Sequence, residues 1–257
     1  MPRANRYYLQ GNIWHITHRC HKKDFLLWHR RDRATWLHWL FEAKKRFDIS
    51  VLNYNVTRNH VHLLVKDKAG EENISDFMQL LQSRVAQEYN TRKNRKGAFW
   101  EDRYHATAID SDVYLMNCMT YINLNMVRAG VVKDPAEWKE SGYSEIEFPR
   151  KRYGIIDFKT LLKELCIETV EELQKSQKDR INELLSKQQL NRESKWTESL
   201  AVGSEDFVER VKEQLDFRAK SRKIIKTEND YILSDSEIPY RAIFDPKNEP
   251  LRLKNGQ

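Results

Sequence analysis

Between positions 12 and 19 the chain reads Asn-Ile-Trp-His-Ile-Thr-His-Arg, a run of β-branched and aromatic residues that predicts a first strand. The apolar period then lengthens. Ala34, Leu37, Leu40 and Phe41 recur at helical spacing and predict a helix over 31–47. Residues 49–57 and 60–66 return to strand character on either side of Arg58-Asn59, a short turn, so the two predict a hairpin. A second helix follows over 74–91, with Phe77, Leu80, Leu81, Val85 and Tyr89 on one face. Residues 98–109 hold a fourth strand. A third helix spans 113–128, with Ser111 or Asp112 as its cap and Gly130 where a helix C-terminus is expected. The order strand–helix–strand–strand–helix–strand is that of a ferredoxin-like layer. The expected class is therefore α+β: an antiparallel sheet with helices on one face, and the third helix as an addition.

The pattern changes after Tyr143. Residues 147–156 mix a proline, a glycine and basic residues, and read as a linker between a first unit, 1–146, and an extension, 157–257. The extension is polar and helical in pattern. Residues 170–189 are dominated by Glu, Lys, Gln, Leu and Arg, and Phe207, Val208, Val211 and Leu215 form one side of a later helix opened by Gly203-Ser204. The last thirty residues show little periodicity, so an extended or partly disordered tail is expected.

Composition narrows the class. The chain has 257 residues, 40% of them hydrophobic and 32% charged. No apolar run approaches the roughly 18–20 residues that span a bilayer, and the basic start at Met1-Pro2-Arg3 has no apolar stretch behind it. Cys20, Cys118 and Cys166 are odd in number and widely spaced. These features suit a reduced, cytoplasmic protein with no membrane partner. The net charge of +7 points to a polyanion as partner. The charge is concentrated at Arg92, Lys93, Arg95 and Lys96, with Arg84 upstream and Arg103 beyond Phe99-Trp100. Cations for phosphates interleaved with rings for bases suit nucleic acid. A solvated basic loop beside core aromatics has the same pattern.

The candidate chemistry starts from His60 and His62. Residues i and i+2 of a strand share a face, so the two imidazoles stand side by side and can chelate one divalent cation. Two ordinary strand histidines give the same spacing. The third helix adds a second group. Leu115, Cys118, Met119, Ile122 and Met126 make its apolar stripe, and Tyr114, Tyr121, Asn125 and Arg128 fall on a flanking stripe. A phenol has a pKa near 10 and is a weak nucleophile until the phosphate it attacks is neutralised. A cation between His60, His62 and the Asn125 amide, with open positions for phosphate and water, suits Mg²⁺ or Mn²⁺. Arg128 or a basic-loop residue would hold a neighbouring phosphate. His15 and His18 point to opposite faces of the first strand and cannot share an ion without a bulge. His105 fills a polar spot, Trp36 and Trp39 read as core, and Trp100, beside the basic loop, is a candidate base-stacking ring in the DNA-binding set as well as a core one. Tyr114, near the helix start, is the rival nucleophile.

Four stretches together resemble a known family. They are Asn53-Tyr54-Asn55-Val56-Thr57-Arg58-Asn59-His60-Val61-His62-Leu63-Leu64-Val65, Phe99-Trp100-Glu101-Asp102-Arg103-Tyr104-His105, Tyr121-Ile122-Asn123-Leu124-Asn125-Met126-Val127-Arg128-Ala129-Gly130, and Ser141-Gly142-Tyr143-Ser144. In order and spacing they are similar to the HUH-class single-tyrosine transposases of the insertion-sequence-200 kind, above all the REP-associated ones. The resemblance implies His60 and His62 as metal ligands, Tyr121 as nucleophile and Asn125 as third ligand. It implies attack on single-stranded DNA, a 5′-phosphotyrosine link, strand transfer, and hairpins of repetitive palindromes as partner. The bacterial nucleoid would then be the place of action, with a monomer or homodimer as the active form. Two positions depart from the pattern. Asn125 is one methylene shorter than the Gln common among the insertion-sequence members, and Met126 replaces a usual Pro, which permits the helix to run on. The alternative reading is a domesticated hairpin-binding protein that does not cleave. A replication initiator or relaxase uses the same logic, but its fuller nicking apparatus is absent from the sequence.

Overall fold

The computed structural model describes residues 9–67, 71–220 and 222–235. Residues 1–8, and the expected tail beyond 235, lie outside the described residues. β1 (Ile13–Arg19) is followed by α1 (Arg30–Arg46), the hairpin β2 (Ile49–Val56) and β3 (His60–Asp67), then α2 (Glu71–Arg92) and β4 (His105–Ile109). β1 pairs antiparallel with both β3 and β4, and β2 pairs with β3, so these four strands lie in the order β2-β3-β1-β4. That is the expected ferredoxin-like layer. The fourth strand is shorter than its apolar pattern suggested. Residues 98–104 form a loop instead, held to β1 by a bridge between Trp100 and Cys20.

α1 and α2 pack side by side against one face of the sheet, where β3 presents Val61, Leu63 and Val65, all buried. The stripe of α1 is rotated from expectation. Trp36, Leu40 and Ala43 are buried, whereas Ala34 is exposed. The rotation turns Asp32 and Arg33 inward, and each has a partner there: Asp32 pairs with Arg92 of α2, and Arg33 donates to Glu140 at 3.1 Å.

The opposite face is covered by the third helix and the extension. The third helix is broken in two. α3 (Val113–Asn123) stops at Leu124, whose φ of −78° and ψ of 0° leave helical geometry, and α4 (Asn125–Arg128) resumes. The C-terminal end is sharp although Met126 is not Pro. Val131 N–H donates to Met126 O at 3.0 Å and Gly130 N–H to Val127 O at 2.9 Å, with Gly130 at φ +66°. This is a Schellman stop, and the left-handed glycine makes it.

α5 (Gly142–Glu147) is capped by Ser141. A Cβ on Gly142 would lie 2.1 Å from Asn53 Oδ1, so only glycine lets α5 approach β2. Residues 147–156 pack closely rather than spanning a gap: Ile155 and Ile156 are buried, and their N–H groups donate to Glu145 at 2.7 and 3.0 Å. Beyond them come α6 (Phe158–Glu164), α7 (Val170–Ser186), α8 (Lys195–Glu198), β5 (Ala201–Gly203), α9 (Glu205–Leu215), β6 (Arg222–Lys226) and β7 (Tyr231–Asp235). The extension is thus not purely helical. β5 joins β4 in parallel, and the β6–β7 hairpin pairs onto β5, so one sheet runs β2-β3-β1-β4-β5-β7-β6. β5 is three residues long, too short for a period-2 signal. As its pattern predicts, α9 buries Phe207, Val208, Val211 and Leu215, capped by Ser204. No helix among the described residues is long and apolar enough to cross a membrane.

Candidate active site

Residues paired across the sheet share a face. Register therefore puts Arg19 beside His60, Thr17 beside His62, and Asn55 beside His62 on the other flank. Thr107 stands beside His15, and His105 beside Thr17. The face under α3 is thus unusually polar for a buried surface, and the side chains account for one another. Asn53 Nδ2 donates to Asn123 Oδ1 at 3.0 Å, Asn123 Nδ2 donates to Gln177 Oε1 at 2.6 Å, and Asn55 Nδ2 donates to Ile122 O at 2.8 Å. These bonds fix α3 over β2 and tie α7 of the extension to both.

His60 and His62 lie with ring centres 5.0 Å apart, both buried. Asn59 Nδ2 donates to Lys23 O, which turns its Oδ1 toward His60. His60 Nδ1, 2.7 Å from that oxygen, is then the donor, and Nε2 keeps its lone pair. His62 Nδ1 lies 2.9 Å from His15 Nε2, and His62 Nε2 lies 3.0 Å from the Asn125 amide nitrogen; the Asn125 side chain also hydrogen-bonds His60. Burial, reinforced by the Arg19 guanidinium, lowers the His60 pKa to about 3. Burial, then the neighbouring His60, holds His62 well below its ordinary range. Both imidazoles are therefore neutral and able to donate electron pairs to a cation.

Tyr121 stands on α3 with its ring centre 6.1 Å from that of His62 and 6.3 Å from that of Trp196. Where the helix breaks, the Tyr121 carbonyl accepts from the Arg128 guanidinium at 2.7 Å, and the same guanidinium lies 4.1 Å from the Tyr121 ring centre. Burial raises the phenol pKa, while Arg128 and Arg192 pull it back down. Tyr121 and Arg128 line a cleft of about 550 Å³ between α3 and the extension, shared with Tyr114, Asn117, Arg180 and Asn191. Asn125 instead turns to the histidines. The flanking stripe of the third helix thus serves two neighbouring places.

The basic residues divide. Lys93, Lys96, Arg103 and Arg84 are exposed. Arg92 is committed to buried Asp32, and Arg95 to Asn90 Oδ1 and the carbonyls of Gly97 and Ala98. Trp100 is half-buried: Nε1 donates to Gln82 O, and one ring face stacks on His18 at 4.2 Å. The loop leads to the histidine end of the sheet, since Glu101 N–H donates to Arg19 O at 3.0 Å. His18 reaches Asp102 O, on the side away from His15, and His105 bonds Thr107 and Ser199 O.

Sequence reasoning missed three residues here. Arg19 lies directly across from His60, His15 bonds His62, and Arg192 of the extension bears electrostatically on both His60 and Tyr121. The first was within reach, because pairing the first strand to the third in register brings it there. His15 lies one residue pair further along and needed the side-chain geometry. Arg192 has no sequence signal.

A divalent cation fits the donor set at His60, His62 and Asn125: two neutral imidazoles and an amide oxygen, once the Asn125 amide turns over to exchange nitrogen for oxygen. Among the described residues no group of three or more His, Cys, Asp or Glu is arranged to hold a metal ion by itself, so a cation at His60, His62 and Asn125 would complete its shell with phosphate oxygen and water.

The sequence pattern of the IS200-like transposases ("Transposase IS200 like") matches residues 10–125. The fold is similar to that of a REP-associated tyrosine transposase solved bound to a REP hairpin, with a TM-score of 0.50 at 20% identity over 58% of this chain and 87% of that one. A protein of Deinococcus radiodurans R1, provisionally named a transposase, aligns over 42% of this chain and 86% of its own at 16% identity, with a TM-score of 0.33. No curated protein matches the sequence. The match covers strands β1 to β4, α3 with Tyr121, and the first residue of α4, Asn125, and over those residues the chain is similar to the IS200-like transposases.

Proposed function

We propose that this transposase nicks and rejoins single-stranded DNA, with Tyr121 as nucleophile and a divalent cation, Mg²⁺ or Mn²⁺, held by His60, His62 and Asn125. The observation that carries the reading is convergence. Two neutral imidazoles turned toward the Asn125 amide stand beside the Tyr121 ring, and Arg19, Arg128 and Arg192 surround them. Three cations around neutral donors suit a phosphodiester.

In the proposed step, the Tyr121 oxygen attacks phosphorus, the Tyr121 O–P bond forms and the P–O3′ bond breaks. The products are a 5′-phosphotyrosine link and a free 3′-OH, and reversal rejoins the strands without an external energy source. A bound cation supplies neutralisation of the phosphate charge in the transition state. Arg128 holds the Tyr121 ring and backbone, and with Arg192 favours the phenolate over the phenol. The cleft beside Tyr121 accommodates a nucleotide flanking the scissile bond. The exposed Lys93, Lys96 and Arg103 face the remaining strand, and a hairpin of repetitive palindromes is the proposed partner, in line with the REP-bound structure whose fold this chain shares. The active form is a monomer or homodimer.

Incubation with end-labelled single-stranded hairpins and Mn²⁺ should yield an SDS-resistant protein–DNA adduct, and Tyr121→Phe should abolish it while leaving hairpin affinity unchanged. An adduct that survives Tyr121→Phe refutes the nucleophile. Tight hairpin binding with no adduct supports the non-cleaving alternative.

A further inference from the structure

We propose that His15 is a positioning residue that sets the tautomer of His62, and that the Trp196 carbonyl of the extension sets His15 in turn. The proposal rests on reading His62 as a metal ligand through Nε2. Trp196 O lies 2.7 Å from His15 Nδ1. A carbonyl oxygen only accepts, so His15 Nδ1 carries the hydrogen. His15 Nε2 lies 2.9 Å from His62 Nδ1. With its hydrogen already on Nδ1, a neutral His15 offers a lone pair at Nε2 and accepts from His62 Nδ1–H. His62 Nε2 is then bare, and it is the nitrogen that faces Asn125.

Ring geometry agrees. The two imidazole planes are 15° apart with centres separated by 5.2 Å. That separation is close to the N···N distance plus two ring radii, so the rings lie end to end, with the hydrogen bond along the lone-pair direction. All of the atoms involved are buried: His15 is 0% exposed, and His62 and Trp196 are 1% exposed. The opposite tautomer of His62 would set two lone pairs against each other where no water reaches, and would put a hydrogen on the nitrogen meant for the cation.

The relay also has a fixed anchor. Trp196 opens α8 within residues that the sequence pattern assigns to the extension, and Thr107 of β4, directly across from His15, bonds Trp196 O at 3.3 Å and Ser199 O at 2.7 Å. The extension therefore reaches a candidate ligand through one side chain, without touching a cation itself. Partners in this position orient a ligating imidazole and raise its basicity, and their loss commonly weakens metal affinity by about 10–100-fold.

Two measurements on the full chain test this. Long-range ¹⁵N–¹H correlation spectra of the metal-free protein should show His15 and His62 each protonated at Nδ1 and bare at Nε2. Mn²⁺ affinity, read from the electron paramagnetic resonance of free Mn²⁺, should fall by about 10–100-fold in His15→Met, which offers no acceptor. It should largely recover in His15→Gln, which returns an acceptor oxygen near the former Nε2. Hydrogen on Nε2 of His62 in the wild type, or unchanged Mn²⁺ affinity in His15→Met, overturns the proposal. The expected tautomers in a wild type that binds no Mn²⁺ support the relay and overturn the metal reading it rests on. If His15→Met does not fold, the wild-type spectrum and the Gln variant decide.

Discussion

Acidification from pH 7 to pH 5 should destabilise the cation-free protein by up to about 6 kcal/mol through three histidines. Burial lowers His15 and His60 to about 3, and His62 well below 6.5. In the unfolded chain each titrates near 6.5 and is almost fully protonated at pH 5. In the folded chain none is. The unfolded state thus binds more protons, so stability falls as pH drops through 6.5 and keeps falling toward the folded values. Integration over the two pH units gives about 2 kcal/mol per histidine, at about 1.4 kcal/mol per unit of pKa difference. Three such groups sum to roughly the whole stability of a small domain. Urea titrations followed by tryptophan fluorescence, at pH 7 and pH 5 in EDTA, measure the loss. His15→Gln removes one titrating group, and its pH dependence should be about one third weaker than that of the wild type. Equal stability of the wild type at both pH values, or an undiminished pH dependence in the variant, would refute the buried, neutral cluster.

Other outcomes separate structural cations from those proposed to face DNA. Arg92→Ala strips the partner from Asp32, which is 2% exposed, and should cost about 3–5 kcal/mol in thermal or urea unfolding. Joint Lys93→Ala and Lys96→Ala should leave unfolding unchanged and reduce the salt slope of single-strand binding by roughly 1.4, at about 0.7 per phosphate contact. Gly142→Ala forces a methyl into Asn53 Oδ1 and should destabilise by about 1–3 kcal/mol, seen as a shifted urea midpoint.

What could be read in advance follows from how local each determinant is. The four strands of the ferredoxin-like layer, the α2 stripe and the α9 stripe are written in periodicities of two and 3.6, and the structure matches them. The break at Leu124 is not, because the apolar stripe from Leu115 to Met126 runs through it without interruption. Its cause is tertiary: Arg128 takes up the Tyr121 carbonyl, and Asn125 turns to His62. Packing of the individual basic residues was not legible in the run of basic letters. Of the dense cluster at 92–96, Arg92 and Arg95 hold the fold together, a distinction that depends on Asp32 and Asn90 and not on the run of basic letters. The Ser-Gly-Tyr-Ser stretch was legible as a motif but not as a cause. Gly142 is there because β2 lies against it.

The extension follows from the polarity of the sheet face it covers. The proposed cation and phosphate site draws on imidazoles, amides and a guanidinium on one surface. β1 to β4 supply His15, Arg19, Asn53, Asn55, His60, His62 and Thr107 there. Such a surface cannot be buried under an apolar helix, since each unmet polar group costs about 1–3 kcal/mol. α3 is apolar along most of its packed stripe and satisfies only the β2 side, through Asn123 and the Ile122 carbonyl. The β1 and β4 side must be satisfied from elsewhere, and the acceptors that meet it are the carbonyls of Trp196 and Ser199. Gln177 of α7 closes the Asn123 network in the same way. Residues up to about 146 alone would carry the proposed ligands and the proposed nucleophile but leave His15 Nδ1 without the Trp196 carbonyl and Thr107 without the Ser199 carbonyl. A fragment ending near residue 146 should therefore fold less stably than the full chain and should lose metal affinity before it loses the DNA-facing loop.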